Sequence, residues 1–243
     1  MQNQIFSIDS AKAIKSQAFG WLNAIHYMAP GSLSGVNLCP HMSVSCFALC
    51  LGWQSGYAGM VKHDADMNAV RQSRIDKARR FMETRQAYLA DMVKAIHQVC
   101  AKAYKLNMKP CFRLNGSTDI AWEGIKYLPH NLSLYDMFPY VQFVEYTKNK
   151  HRMLKQAKGL TPANLWLTFS RSETNEADCL EVLAAGGNVA VVFHNRPETW
   201  NGYPVIDGDT HDLRHLDPRG GYVIGLSPKG RKAKRDTSGF VVR

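Results

Sequence analysis

What the chain lacks limits the classes of protein to which it can belong. No apolar run approaches the roughly 18–20 residues that a membrane-spanning helix requires. Residues 1–9 contain no basic region followed by an apolar stretch, so no secretory signal is expected. No zinc-finger, helix-turn-helix or RNA-recognition signature is present, which removes the familiar routes to base-specific recognition. The default prediction is therefore a cytoplasmic protein without a membrane partner.

The composition predicts a single globular domain over residues 1–243, with no linker to divide it. Of the 243 residues, 45% are hydrophobic and 21% are charged. The formal net charge of +10 favours a polyanionic partner, such as a nucleic acid or a nucleotide. Much of this charge lies in two places, 71–85 and the basic C-terminal tail 229–243. The alternative interpretation is a solvated helix face, with its arginines outward, and a basic tail without a ligand.

A cysteine loop at 39–50 is the strongest chemical signal. Cys39, Cys46 and Cys50 follow the spacing C-x6-C-x3-C, and the chain has six cysteines in all. In a reducing compartment, clustered thiols bind metals more often than they form disulfides. The three thiolates could hold zinc or three irons of a 4Fe–4S cluster. His41 lies within the loop, either as a fourth ligand or as a residue that packs there.

Apolar strand-like segments alternate with helical ones along the rest of the chain. This alternation predicts an α/β fold with a mostly parallel sheet. About six strands end in polar loops, so a partial (βα)6 barrel is the first expectation and an open doubly wound sheet the second. The helical pattern of 68–106 is too long for one helix in this domain, and a break is expected at 84–86. The predicted strands are 19–28, 109–114, 141–146, 165–169, 188–193, 203–206 and 221–226, and further helices are predicted from 151 and over 176–185.

Polar residues that follow the predicted strands are candidate cofactor-binding or substrate-binding groups. The carboxyl ends of parallel strands meet at one edge, where α/β folds place their ligands. The alternative is that the same residues form turns and helix caps. The candidates are Asn115, Ser117, Asp119, Ser170, Glu173 and Asn175.

An acidic and histidine-rich patch provides a separate hypothesis. Asp207, Asp209 and His211 carry the hard ligands that Mg²⁺ accepts, as in a metal-dependent nuclease. Their spacing is not specific to a nuclease, and turn formation by Asp-Gly-Asp is the favoured explanation of the pattern.

The position of the cysteine loop resembles the layout of radical S-adenosylmethionine enzymes. In those enzymes a three-cysteine loop follows the first strand of a partial barrel, and its 4Fe–4S cluster donates an electron to S-adenosylmethionine. That resemblance implies both cofactors here. The chain departs from the family's pattern because it lacks the C-x3-C-x2-C spacing, and Asn115-Gly116-Ser117 stands where Gly-Gly-Glu is usual.

Several strings of residues are distributed over nearly the whole chain. They are Ala18-Phe19-Gly20-Trp21, Leu38-Cys39-Pro40 with Cys46 and Cys50, Arg113-Leu114-Asn115-Gly116, Tyr146-Thr147-Lys148-Asn149, 168–173, 200–209 and 234–241. In these strings the chain is similar to the phage gene-product-88 family. This resemblance implies a phage or prophage setting and no particular reaction. A catalytic metal protein, a zinc-stapled nucleic-acid-binding protein and a nuclease all remain open.

Overall fold

A computed structural model describes residues 4–243 of the protein, and its nine strands form one mixed sheet. Strands that follow one another in the chain lie side by side, except that β9 and β8 lie between β6 and β7. The order is β1-β2-β3-β4-β5-β6-β9-β8-β7, with antiparallel pairing only at the β1–β2 and β7–β8 edges. The strands are β1 Phe6–Ser7, β2 Trp21–His26, β3 Lys109–Arg113, β4 Gln142–Thr147, β5 Leu165–Ser170, β6 Val189–Val192, β7 Thr199–Trp200, β8 Tyr203–Asp207 and β9 Val223–Leu226.

The prediction of an α/β fold with a mostly parallel sheet is confirmed. Within residues 4–243 the sheet is open, because β1 and β7 each pair with one neighbour and not with each other. The consecutive order from β2 to β6 contains no reversal of the kind that defines a doubly wound sheet. The open sheet thus agrees with the second fold expectation, although its doubly wound strand order is not seen from β2 to β6, and closure into a partial barrel is not shown.

Helices connect the strands from β2 to β6 and cover one face of the sheet. The break expected at 84–86 is confirmed: α4 ends at Glu83, and α5 begins at Arg85 after the non-helical Thr84. No helix of residues 4–243 combines the length and apolar character needed to cross a bilayer. The helices are α1 Ala11–Gln17, α2 Val44–Ala48, α3 Leu51–Gln54, α4 Ala69–Glu83, α5 Arg85–Lys105, α6 Leu134–Met137, α7 Lys150–Ala157, α8 Glu176–Ala184 and α9 Gly230–Lys234.

The two faces of the sheet are buried differently because side chains alternate along each strand. The helix-covered face supplies the main core, where Phe112 and Phe143 pack with residues of α5. The opposite face holds a small cluster of Cys111 and Val144. Leu213, from the segment after β8, completes that cluster. The segment therefore covers the second face below the carboxyl edge of the strands.

One expectation about α4 is corrected. Arg71, predicted on the outward face, is fully buried because its guanidinium donates to main-chain carbonyls of the preceding segment. Arg79, Arg80 and Arg85 of the same region are exposed. The basic residues of 71–85 are thus divided between structural and solvent-facing roles.

Candidate functional site

A cavity with a volume of about 220 Å³ lies at the carboxyl edge of the parallel strands. Parallel strands bring their ends to this edge, so residues distant in the chain meet there. Each strand from β3 to β6, and also β9, contributes its last or second-last residue to the wall: Arg113, Tyr146, Ser170, Val192 and Leu226. The cavity is therefore an outcome of the sheet topology.

The cysteine loop forms the opposite wall of this cavity. Cys39, Cys46 and Cys50 all line it, in the loop after β2, in α2 and at the start of α3 respectively. The Sγ of Cys39 accepts a hydrogen bond from the Gly31 amide at 3.3 Å and donates to the Ser117 carbonyl at 3.6 Å. The structure thus brings the three predicted metal-binding cysteines together at one site.

Burial keeps two of these thiols protonated in the absence of a cation. Burial, with smaller contributions from the nearby Cys50 and Cys46, raises the pKa of Cys39 to about 12. Burial likewise raises the pKa of Cys50 to about 11. The Gly52 amide, Arg74 and Lys148 act in the opposite direction, because each favours the thiolate. A bound metal ion would reverse this preference, because it binds and stabilises the thiolate.

A formed metal centre is not shown. Among residues 4–243, no three side chains of His, Cys, Asp or Glu converge closely enough to hold a metal ion. His41 is exposed and does not line the cavity. Metal binding by the cysteines, and the identity of any fourth ligand, remain predictions from the sequence.

Two arginines of α4 anchor the segment that follows the cysteines. Arg71 donates to the carbonyl oxygens of Trp53, Ala58 and Asp64 at 3.1, 2.8 and 2.6 Å, and also to that of Asp66. Its guanidinium also lies 4.6 Å from the Trp53 ring centroid. These contacts hold an irregular segment that has few backbone partners of its own, so α4 fixes the downstream end of the cysteine loop.

Arg74 adds a second anchor, closer to the thiols. Its guanidinium donates to the Gly52 carbonyl and lies 4.7 Å from the ring centroid of Tyr27. Its own carbonyl accepts the Ala29 amide at 3.0 Å, in the turn that precedes the cysteine loop. Arg74 therefore contacts the segments before and after the loop and places a positive charge near Cys50.

Glu173 supports the cysteine loop from the side of β5. Its carboxylate accepts the Ser43 hydroxyl at 2.7 Å and the Ser45 amide at 3.0 Å, at the N-terminus of α2. These hydrogen bonds hold the pKa of the Glu173 carboxyl below its usual range, although partial burial opposes them. Glu173 does not line the cavity. Its observed contacts stabilise the short helix that carries Cys46.

Asn115 organises the turn after β3. Its Oδ1 accepts hydrogen bonds from Thr118 Oγ1, the Ile120 amide and Trp122 Nε1 at 2.7, 3.0 and 3.2 Å. Its Nδ2 donates to the Ile120 carbonyl at 2.9 Å. These side-chain hydrogen bonds all serve the turn, although Asn115 borders the cavity. Ser117, also at the cavity, donates to the Met28 carbonyl at 2.5 Å.

Asp119 fixes the end of β4. Its carboxylate accepts the Thr147 hydroxyl at 2.7 Å and the Lys148 amide at 2.8 Å, and it lies 3.3 Å from Arg152 Nη1. Arg152 also pairs with Glu123 at 2.7 Å. These contacts hold Asp119 in place beside the cavity that it lines.

The remaining two candidates lie on either side of the cavity wall. The Ser170 hydroxyl lines the cavity and accepts Lys148 Nζ at 2.8 Å. Asn175 does not line it: its side chain accepts the Ser172 amide at 2.6 Å and donates to the Ser170 carbonyl at 3.1 Å. Of the six candidates, Asn115, Ser117, Asp119 and Ser170 border the cavity, whereas Glu173 and Asn175 lie behind it.

Sequence reasoning did not single out the cavity's Arg113 and Tyr146. Arg113 Nη1 lies 3.0 Å from Asp212 Oδ2, and Tyr146 donates to the other oxygen of that carboxylate at 3.1 Å. The arginine also stacks 4.6 Å from the Tyr146 ring centroid. The period-two alternation of β3, with Cys111 and Arg113 on one face, could have indicated that face.

The C-terminal tail also contributes to the cavity wall. The tail lies beside β6, with the His194 amide donating to the Val242 carbonyl at 2.8 Å and the Val242 amide to the Val192 carbonyl at 2.9 Å. Arg171 donates to two tail carbonyls, including that of Phe240. These contacts place the Phe240 ring in the cavity wall.

The carboxylates of the acidic patch form ion pairs with basic side chains of the same chain. Asp207 pairs with Arg196 at 2.8 Å, and Asp209 pairs with Lys229 at 2.9 Å. His211 is an edge-on neighbour of Phe19, with ring centroids 4.8 Å apart. The magnesium hypothesis gains no support from this arrangement.

Comparisons with known proteins identify one family. The model of that family, described as gene product 88, matches residues 5–243. No curated protein matches the chain, and no solved structure matches it. The match thus covers the sheet, the cysteine loop and the tail.

Proposed function

The chain belongs to the gene product 88 family, and we propose that it is a metal protein whose three loop cysteines bind an iron–sulfur cluster. The observation that carries this proposal is that Cys39, Cys46 and Cys50 line one cavity at the carboxyl edge of the sheet. Soft thiolate ligands suit iron–sulfur clusters or zinc far better than Mg²⁺. Three cysteines without a fourth ligand fit a cluster with one open iron.

The surroundings of the thiols fit such a cluster. Arg74 and Lys148 lie close enough to favour a negative charge on Cys50. The Gly31 amide already donates to the Cys39 sulfur, and hydrogen bonds of this kind tune cluster potentials. The anchoring by Arg71, Arg74 and Glu173 would hold the ligands in place, as a well-defined metal site requires.

The enzymatic form of the proposal adds S-adenosylmethionine as a cofactor. When bound, an iron–sulfur cluster supplies an electron to a molecule beside it. The cavity next to the cysteines provides about 220 Å³ for a cofactor or substrate. The consecutive strand order from β2 to β6 is also the order that a partial (βα)6 barrel requires, which supports that finer description of the fold.

Anaerobic purification tests the metal proposal. We expect a brown protein with absorption near about 400 nm. The Cys46→Ala variant should lose the colour and the iron. The matched control is Cys100→Ala, which changes a partly buried thiol on α5 outside the cavity and should retain both. A colourless wild-type protein with about one zinc per chain would overturn the iron–sulfur proposal in favour of a zinc-stapled loop.

A nucleic-acid partner is the second proposed function, and the placement of α9 favours it. Lys229 and Ala233 border the cavity, while Arg231, Lys234 and Arg235 are exposed beside it. These cations could bind phosphates of a nucleic acid whose reacting group enters the cavity.

Fluorescence anisotropy with a labelled single-stranded oligonucleotide tests this partner. We expect affinity to fall steeply with added salt, and to fall further when Arg231, Lys234 and Arg235 are changed to alanine. The matched control changes the exposed Arg79, Arg80 and Arg85 to alanine. If the two triple variants lose the same amount of affinity for the oligonucleotide, the attraction is non-specific. That result would contradict a binding surface beside the cavity.

A further inference from the structure

The cations of the cavity differ in how they are paired. Arg113 forms an ion pair with Asp212 at 3.0 Å, and Lys229 forms one with Asp209 at 2.9 Å. Lys148 has no carboxylate within ion-pair distance of its Nζ among residues 4–243. Lys148 is therefore the cavity-lining cation that forms no ion pair in the described part of the chain, although Asp119, which is paired with Arg152, lines the same cavity.

The position of Lys148 is fixed from several sides. Its amide donates to Asp119 at 2.8 Å, at the end of β4. Its Nζ donates to Ser170 Oγ at 2.8 Å and lies 5.8 Å from the centroid of the Phe240 ring. The ammonium group is thus held at the wall by a neutral hydroxyl and an aromatic face, both of which leave its charge intact.

The remainder of the wall is mainly apolar. A cation that has lost part of its hydration without gaining a counter-ion is unfavourable, and a bound anion removes that cost. Apolar side chains favour an apolar or planar ligand body. The apolar wall residues include Met42, Phe47, Leu51, Leu226 and Phe240.

We propose that Lys148 and Ser170 form an anion subsite for the cavity's ligand, a small molecule with an apolar or planar body and one carboxylate or phosphate group. This inference deepens the proposed function, because the subsite would orient the ligand towards the cysteine wall. Ser170 can donate its hydroxyl proton to the same anion while accepting from Lys148. The cavity volume of about 220 Å³ accommodates a single-ring ligand of this kind.

Matched single-ring probes test the subsite in metal-free protein, so the result does not depend on cluster binding. Benzoate and phenyl phosphate carry the two candidate anions, and benzyl alcohol is their neutral counterpart. Titrations followed by NMR or calorimetry should show one or both anions binding about tenfold or more tightly than the alcohol. The better of the two anions identifies the ligand's group as carboxylate or phosphate.

Variants separate Lys148 from the general positive charge of the protein. Lys148→Ala should remove the preference for the anions, and Lys148→Arg should retain most of it. Lys150→Ala is the control, because Lys150 is nearby but pairs with Asp178 and Glu181 at 2.8 Å each. Thermal unfolding confirms that each variant is folded.

Two results would overturn the subsite: equal binding of the anions and the alcohol, or an anion preference that survives in Lys148→Ala. Absence of binding by all three probes up to about 20 mM also overturns it, since specific sites for such fragments bind within this range. The iron content of each variant is measured separately. A further result is also informative: wild type shows no anion preference, and Lys148→Ala loses iron. This result would show that Lys148 only balances the negative charge of the thiolates.

Discussion

Acid should destabilise this protein through His26, the last residue of β2. His26 is fully buried, with Nδ1 2.9 Å from the Leu114 carbonyl and Nε2 2.6 Å from the Tyr88 hydroxyl. A carbonyl can only accept, so Nδ1 carries the proton and Nε2 accepts from Tyr88. Protonation of Nε2 would place an uncompensated charge in the core. Burial, together with the charge of Lys77, lowers the pKa of His26 to about 3.

The sign and size of the effect follow from this pKa. In the unfolded chain a histidine titrates near about 6.5, so below that pH the unfolded state binds a proton that the folded state excludes. The contribution of neutral His26 is therefore fully present above about pH 6.5 and is lost as the pH falls towards 3. At pH 5 the loss is about 2 kcal/mol of unfolding free energy.

Urea unfolding of wild type and His26→Gln at pH 7.5, 6 and 5 measures this loss. Glutamine does not titrate, so the variant, although less stable at neutral pH, should lose about 2 kcal/mol less than wild type between pH 7.5 and 5. The exposed His151, changed to Gln, is the control and should follow wild type. Parallel pH profiles for wild type and His26→Gln would refute the reasoning, because they would mean that His26 is not held neutral.

Two further predictions concern the residues that hold the site together. Arg71→Leu should cost about 2–4 kcal/mol, since it removes the donor from four carbonyls, and should speed amide hydrogen exchange in 53–66; exposed Arg79→Leu should change neither. A loss of unfolding free energy without faster amide hydrogen exchange in 53–66 would contradict the anchoring role of Arg71. Asn115→Ala should cost about 2–4 kcal/mol in urea unfolding, because it leaves buried donors of the turn unpaired. A loss below about 0.5 kcal/mol would show that the turn holds without its side chain.

The fold was predictable from the sequence wherever the periodicity and the length of a segment alone determine its structure. Thirty-nine residues of helical pattern over 68–106 cannot remain one helix in this domain, so the break at Thr84 follows from geometry. The insertion of β9 between β6 and β8 was not predictable, because strand patterns carry no information on pairing partners. Helices α2 and α3 were also missed, since four- or five-residue helices depend on tertiary support such as Glu173 and Arg71.

The site was predictable to the extent that chain topology gathers the strand ends. Sequence reasoning placed the three cysteines and the polar loops at one edge, and Cys39, Cys46 and Cys50 do share a cavity there with Ser170. It could not distinguish a polar side chain that faces a ligand from one that caps a helix. Glu173, whose carboxylate holds α2, shows why: both roles use the same residue type after a strand.

The central claim is that the cysteine loop binds an iron–sulfur cluster, and elemental analysis of anaerobically reconstituted protein tests it most directly. We expect about four iron and four sulfide ions per chain in wild type and in Cys100→Ala. A variant with Cys39, Cys46 and Cys50 all changed to alanine should contain neither above background. Wild-type protein that holds no iron after reconstitution, or a triple variant that holds as much as wild type, would contradict the account.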